Sequence, residues 1–285
     1  MSQDDRWTDL HIHTTNSDGA YSVEEVFDHA KKGSLQAIAI TDHDTTAGVE
    51  EAKALSKKYS IEFIPGVELS ASHKGKEVHI IGLYVDPDNA GFSEKLEYFQ
   101  KKRADRAEKI IMKLKAGGII VDFKELYEVT GNMKNAGRVH VAKLLVKKNI
   151  VRNIREAFNK FLAEDRPAYV KKAKLTVAEA ISLVKGAGGV SILAHPVLVG
   201  MDEMIKKWKE QGLDGIEAFH PDHKPADTQR YVNIAGKYGL LISGGSDCHG
   251  AIKGHTRIGK IRLPYCYYEE IKNHRQAAAA DEKVS

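Results

Sequence analysis

Cysteine is nearly absent from this chain. Two residues, Cys248 and Cys266, serve a length of 285, too few for a disulfide framework or a thiolate zinc site. No apolar run reaches the ~18 residues that a membrane span needs. The opening MSQDDRW lacks the basic and apolar stretches of a signal peptide. These absences lead us to expect a reduced, cytoplasmic protein. Net charge is also small, at +4, but it is unevenly spread. Positions 101–175 hold 20 Lys and Arg against 8 Asp and Glu, and the rest of the chain holds 23 against 31. A basic segment of that kind suits an anionic ligand, with acidic residues gathered elsewhere for another purpose.

Strand and helix patterns alternate through the first ninety residues. WTDLHIH, QAIAIT, IEFIPGVE and KEVHIIGLYV read as strands. SVEEVFDHAKKG and TAGVEEAKALSKKYS read as helices, the first with Ser22 and Glu25 as a capping box. Such alternation predicts an α/β fold with a mostly parallel sheet. It stops near residue 92, where SEKLEYFQKKRADRAEKIIMKLKAGG predicts one long helix. VDFKELYEVT, GRVHVAKLLVKKN and NIREAFNKFLAED predict three shorter helices. The rhythm resumes with TVAEAISLVKGAGG, capped by Thr176 and Glu179, then VSILAH, GIEAFH and LLISGGSD. The expectation is one split domain, 1–91 with 168–270, an all-helical basic insert over 92–167, and a C-terminal tail over 271–285.

DLHIHTTNSDG places His11 and His13 at i and i+2. On a strand such side chains share a face, so both imidazoles can reach one point. Candidate ligands recur where expected strands end. AIAITDHD offers His43, FIPGVE offers Glu68, EVHIIG offers His79 and VSILAHP offers His195. GIEAFHPDH carries His220 and His223, and LLISGGSDCH carries Asp247 and His249. The carboxyl ends of strands form the functional face of barrels and open parallel sheets. Imidazoles with a few carboxylates suit Mn, Fe or Zn better than Mg or Ca. There are more donors than one tetrahedral ion uses, so two or three divalent ions are expected, with Glu68 as a natural bridge. Such clusters generate hydroxide at neutral pH and clamp phosphoryl oxygens. Asp9 and Asp42 stand beside these histidines, either orienting imidazoles or capping turns. His29, His73, His255 and His274 fit no strand-end pattern and read as surface residues, and Cys248 reads as packing.

DLHIHTTNSDG, AIAITDHDT, GVE, HIIGLY, AHP and GGSDCHG, in this order, resemble the polymerase and histidinol phosphatase (PHP) family of metal-dependent phosphoesterases. The resemblance covers about 7–91 and 168–262. It implies a distorted seven-stranded (β/α) barrel. It also implies a first metal site at His11, His13, Glu68 and Asp247. Glu68 would bridge to a second site with His79 and His195, and a third would use Asp18, His43 and His249. Asp18 departs from the pattern, since some members carry histidine there. GIEAFHPDH resembles the nucleotide-directed branch, where the second histidine lies by the substrate, so His223 is the candidate proton donor and His220 a candidate substrate contact.

The insert bears on the substrate. Arg138 and His140 stand at an expected helix start, where free N–H groups favour anions, and an arginine can grip phosphate through two parallel bonds. RPAYVKKAK adds Arg166, Tyr169, Lys171 and Lys172. The GR-x-H and P-A-Y-V pieces resemble the branch that acts on nucleoside 3′,5′-bisphosphates and short oligonucleotides. The expected activity is hydrolysis of such phosphate esters by a metal-bridging hydroxide, releasing a 3′-phosphate or trimming 5′ to 3′. No membrane and no obligate protein partner are expected. A histidinol-phosphate phosphatase would use the same cluster but leaves the basic insert unexplained. A non-catalytic PHP module would have lost ligands, and here every ligand position is filled.

Overall fold

The computed structural model describes residues 6–131, 133, 136–251 and 255–281. Residues Met1–Ser93 and Lys174–Ser285 form one compact unit, and Glu94–Ala173 forms another. The second unit therefore runs past the boundary expected at 167.

The first unit is built on strands β1 (Trp7–Ile12), β2 (Leu35–Ile40), β3 (Glu62–His73), β4 (Lys76–Leu83), β5 (Leu175–Thr176), β6 (Val190–Leu193), β7 (Gly215–Phe219), β8 (Leu241–Gly244) and β9 (Leu263–Pro264). Their order across the sheet is β8-β7-β6-β4-β3-β2-β1-β9, with β5 beside β3. Among the described residues seven strands are longer than two residues, matching the expected strand number. The sheet nearly closes on itself: past the end of β8, Asp247 N–H donates to His11 O at 2.9 Å, and His13 N–H donates to Cys248 O at 3.1 Å. This is the distorted (β/α) barrel that the PHP resemblance implied.

The sheet is less parallel than the alternation suggested. β4 runs antiparallel to both β3 and β6. The cause is local: the tight turn at Lys74 (φ 47°) and Gly75 (φ 84°) folds the chain straight back from β3, and no helix intervenes. β3 and β4 then pair over eight residues on each strand, from Gly66↔Leu83 to His73↔Lys76.

Around the sheet lie α1 (Val23–Lys32), α2 (Val49–Tyr59), α7 (Val177–Gly186), α8 (Pro196–Val199), α9 (Ile205–Glu210), α10 (Pro225–Tyr238) and α11 (Tyr265–Asp281). The capping boxes at Ser22/Glu25 and Thr176/Glu179 are both formed. One core cluster sets Leu10, Ala37, Ala39, Ile64, Ile81 and Ile192 with Tyr268 and Ile271 of α11. A second sets Ile12, Ile38 and Ile40 against Val26, Phe27 and Ala52 of the first two helices. The tail expected from 271 is helix as far as Asp281. Ile271 is fully buried in the core, and the run AAAA that follows is strongly helix-forming.

The second unit is helical. α3 (Ala90–Ala116) leads into it from the first unit, and α4 (Phe123–Thr130), α5 (Arg138–Lys147) and α6 (Ile154–Ala157) follow, with a π-helical turn at Phe158–Leu162. Its own core gathers Ile110, Leu114, Leu126, Val141, Leu145 and Leu162. Among the described residues no helix is long and apolar enough to cross a membrane.

Candidate metal centre

The backbone brings the candidate ligands of the first unit to one end of the barrel. In β1 the pairing slips between Asp9 and Ile12, where three steps match two of β2. Strict alternation is thereby broken, and Leu10 joins the inner cluster while Ile12 faces α1 and α2. Glu68 does not end its strand as expected. It lies inside β3, opposite Ile81, beyond the point where β2 stops pairing at Ile40↔Pro65. His79 pairs opposite Ser70, so its ring is the diagonal neighbour of Glu68 on one face. His195 and Asp247 follow β6 and β8 with φ of 29° and 46°. Left-handed backbone at non-glycine residues costs energy and clusters at functional sites.

Five histidines converge on the buried carboxylate of Glu68. His79 Nδ1 is 2.8 Å and His195 Nε2 is 3.1 Å from Oε1. His43 Nδ1, His13 Nε2 and His11 Nε2 are 3.0, 3.2 and 3.5 Å from Oε2. Asp247 Oδ1 joins at 3.3 Å from His11 Nε2 and 3.2 Å from His13 Nε2. A third set lies alongside: Asp18 is 3.3 Å from His249 Nε2 and 4.0 Å from His43 Nε2, and the His13 and His249 rings stack at 4.0 Å. Three overlapping groups have ligand atoms close enough to share an ion: His11, His13 and Glu68; His43, Glu68 and His79; His13, Asp18, His43 and His249.

The donor chemistry fits divalent cations. His11 Nδ1 faces the Glu217 carboxylate at 3.1 Å, which can only accept, so Nδ1 bears the hydrogen. In a neutral ring Nε2 is then a lone pair, aimed at the carboxylate oxygens of Glu68 and Asp247. Glu68 Oε2 makes no hydrogen bond, although three ring nitrogens lie within 3.5 Å of it. Lone pairs gathered this closely are stable only with positive charge among them. The electrostatics agree. Burial disfavours the charged form of His11, yet Glu217, Asp247 and Glu68 hold its pKa well above the ordinary value. Burial likewise opposes charge on His13, and Asp247 and Glu68 lift it to about 10. On Glu68, burial is outweighed by His43, His79 and His11, and the pKa falls well below the carboxylate range. Imidazole nitrogens and carboxylate oxygens are ordinary ligands of Zn, Mn and Fe.

Glu217 escaped the reading of the sequence. It is fully buried on β7, accepts from His11 Nδ1 and accepts the backbone N–H of His195 at 2.7 Å. Its signal was the i, i+2 relation to Phe219 in GIEAFH: a charged residue midway along a strand that reads as buried. Asp9 and Asp42 do not bond to imidazoles. Asp9 accepts the N–H groups of Ser246 at 2.8 Å and His11 at 3.4 Å. Asp42 accepts from Thr14 N–H, Thr14 hydroxyl and Ser17 hydroxyl. Both hold backbone N–H groups near the ligands instead of imidazoles. Cys248 is buried, as packing requires. His255 and His274 are exposed, whereas His29 is half-buried beside Tyr21 and His73 half-buried against Trp208.

His220 lies within the cluster, its Nε2 3.4 Å from Asp247 and its ring 5.6 Å from that of His195. His223 is anchored by Nδ1–H donation to Ala218 O at 2.9 Å, and its buried Nε2 makes no hydrogen bond. Burial lowers its pKa. In the second unit, Arg138 packs its guanidinium over the Phe158 and Tyr169 rings at 5.4 and 5.8 Å and donates to Leu162 O at 3.3 Å. His140 is buried, and its Nδ1 accepts the Gly137 N–H at 3.1 Å, closing the helix start. Lys171 is exposed and Lys172 half-buried.

A buried carboxylate ringed by histidines at the end of a nearly closed α/β barrel defines a metal-dependent hydrolase. The PHP domain profile matches residues 9–169, more than half of the chain. The 3′,5′-nucleoside bisphosphate phosphatase of Chromobacterium violaceum is 33% identical over 88% of this chain and 90% of its own length. The 5′-3′ exoribonuclease of Haemophilus influenzae is 32% identical, covering 88% of this chain and 93% of its own. A structure of an amidohydrolase from Chromobacterium violaceum, with bound sulfate and no metal, superposes with a TM-score of 0.82. It is 32% identical and covers 93% of this chain and 96% of its own. The chain belongs to the PHP domain family of metal-dependent phosphoesterases. It is a metal-dependent hydrolase of phosphoester bonds.

Proposed function

We propose that this enzyme hydrolyses nucleotide phosphate esters. The substrates are nucleoside 3′,5′-bisphosphates, releasing the 3′-phosphate, or the 5′ end of short oligonucleotides. One observation carries the reading: five imidazoles surround the buried carboxylate of Glu68. His11, His13, Glu68 and Asp247 would hold one ion. Glu68, His79 and His195 would hold a second, and Asp18, His43 and His249 a third. Mn, Fe or Zn suits these donors. Bound there, such ions polarise phosphoryl oxygens and acidify water into a nucleophile.

The chain's own side chains do the rest. Glu68 supplies one oxygen to each of two sites. His223 is held by Ala218 with its Nε2 uncommitted; as proton donor to the departing alcohol it must first take up a proton at Nε2, against the direction in which burial moves it. His220, beside Asp247, supports substrate contact. The basic insert supports recognition of a further phosphate by Arg138, His140, Lys171 and Lys172. Arg138 is pre-organised on two rings, which leaves further N–H donors for an anion. His140 serves through the helix start that it braces. The names of the two relatives, a bisphosphate phosphatase and an exoribonuclease, support the nucleotide class. Two free thiols suit a reducing cytoplasm.

Phosphate release with Mn²⁺ from adenosine 3′,5′-bisphosphate tests the reading, beside 5′-AMP, 3′-AMP, histidinol phosphate and a 5′-phosphorylated trinucleotide. Turnover concentrated on the bisphosphate or the trinucleotide is expected. A preference for histidinol phosphate would overturn it.

A further inference from the structure

Two of the proposed sites share more than Glu68. His11 belongs to one and His195 to the other, and both touch Glu217. This carboxylate is fully buried, and its two oxygens have different nearest donors, with His11 Nδ1 also 3.4 Å from Oε2. Oε1 takes His11 Nδ1–H at 3.1 Å, and Oε2 takes the backbone N–H of His195 at 2.7 Å. His195 stands at φ 29°, a backbone state that persists only where surrounding contacts over-determine it. Its N–H bond to Glu217 is one such contact. Among the buried carboxylates near the ligands, Asp9 and Asp42 hold backbone and hydroxyl groups, whereas Glu217 meets Nδ1 of His11, on the far side of the ring from Glu68 and Asp247.

We propose that Glu217 is a positioning residue that couples two metal sites. Through one oxygen it sets the tautomer and tilt of the His11 ring, and through the other it pins the backbone that carries His195. Removing Glu217 therefore weakens the hold on both ions at once. A carboxylate behind a ligating imidazole fixes the tautomer and raises ligand basicity, and its loss typically costs about 10- to 100-fold in metal affinity. Serving two ligands at once makes the charge state decisive. Glutamine keeps one acceptor oxygen, uncharged, and puts an NH₂ group in place of the other, so it cannot hold the two donors on separate oxygens. In E217Q the His11 ring and the His195 backbone must share a single acceptor oxygen, so the hold on both slackens.

The inference rests on the metal-centre reading above, and its test is a binding measurement that needs no substrate. Wild type, E217Q and H11N are equilibrated with buffered Mn²⁺ and the bound metal is counted. Melting of the metal-free proteins checks that each variant folds. In H11N one ion is expected to weaken. In E217Q two ions weaken together, by about 10- to 100-fold, and turnover returns at saturating Mn²⁺. An E217Q protein with wild-type affinity, or with one ion weakened, overturns the coupling alone. Wild type that binds no Mn²⁺ overturns the coupling and the metal centre together. If E217Q does not fold, ¹⁵N-histidine NMR of wild type loaded with Zn²⁺ decides the matter. The ring signal missing from H11N must show a protonated Nδ1 and a metal-bound Nε2; the opposite tautomer overturns the proposal.

Discussion

Asp247 is the residue where charge and backbone can be separated. Its carboxylate lies 3.2–3.3 Å from two ring nitrogens, and its backbone is left-handed at φ 46°. Asparagine tolerates that conformation nearly as well, so Asp247→Asn removes charge while keeping the turn. Turnover should fall by at least about 100-fold, since groups behind the ligands already cost about 10- to 100-fold. Steady-state kinetics beside circular dichroism checks this; an active, folded variant would remove Asp247 from the ligand set. His223 gives a pH prediction. Burial lowers its pKa below the ordinary 6.5, so between the two values the folded chain binds fewer protons than the unfolded one. Its contribution to stability is full above 6.5 and is lost as pH falls through the lowered value. Urea unfolding at pH 5 and pH 7 should show a smaller acid-side loss in His223→Gln than in wild type. At this scale the sequence was informative wherever chemistry sat at a strand end, as at His43 and His195. Glu217 was hidden because a buried acid inside a short strand looks like any solvent-facing one until its partners, from positions 11 and 195, are known.

The elements hold one another through specific polar contacts. At the start of β3, Glu62 accepts from Lys272 at 2.8 Å, Tyr268 at 2.9 Å and Tyr265, all on α11. Burial of Glu62 is outweighed by Lys272 and the two hydroxyls, which lower its pKa. Its stabilisation is therefore present above the ordinary 4.5 and is lost as pH falls through the lowered value. Glu62→Gln should cost about 1 kcal/mol near neutrality, discounted because the group is partly exposed, and should flatten the acid-side slope. Denaturation midpoints at pH 4 and pH 7 report both effects. Most helices were readable from apolar spacing and caps. The antiparallel setting of β4 was not, because two strands separated by a short polar turn can be read correctly without revealing which neighbour the second one joins. The β1 register slip was equally invisible, since it depends on what β2 offers.

Across the whole molecule the two units divide the charge. The segment 101–175 is strongly basic and the remainder acidic. If the insert reads a second phosphate, KM for a bisphosphate should rise with ionic strength more steeply than KM for an aryl phosphate. Arg138→Ala should raise KM for the bisphosphate several-fold more than for the aryl ester and reduce that salt slope. Equal effects on both substrates would remove the insert from recognition. Calorimetry on the variant guards against simple loss of packing on Phe158 and Tyr169.

The seam that closes the barrel joins residues 11 and 13 to residues 247 and 248. Asp247 and Cys248 bond to His11 and His13, so ligands separated by more than two hundred residues meet there. On the ribosome, a growing chain carries His11 and His13 long before Asp247 and His249. Two of the groups close enough to share an ion draw on residues up to 79, but the contacts of Asp247 and His249 are added only after residue 249 has been made. Order of synthesis thus delays the complete centre until the scaffold that confines it can close.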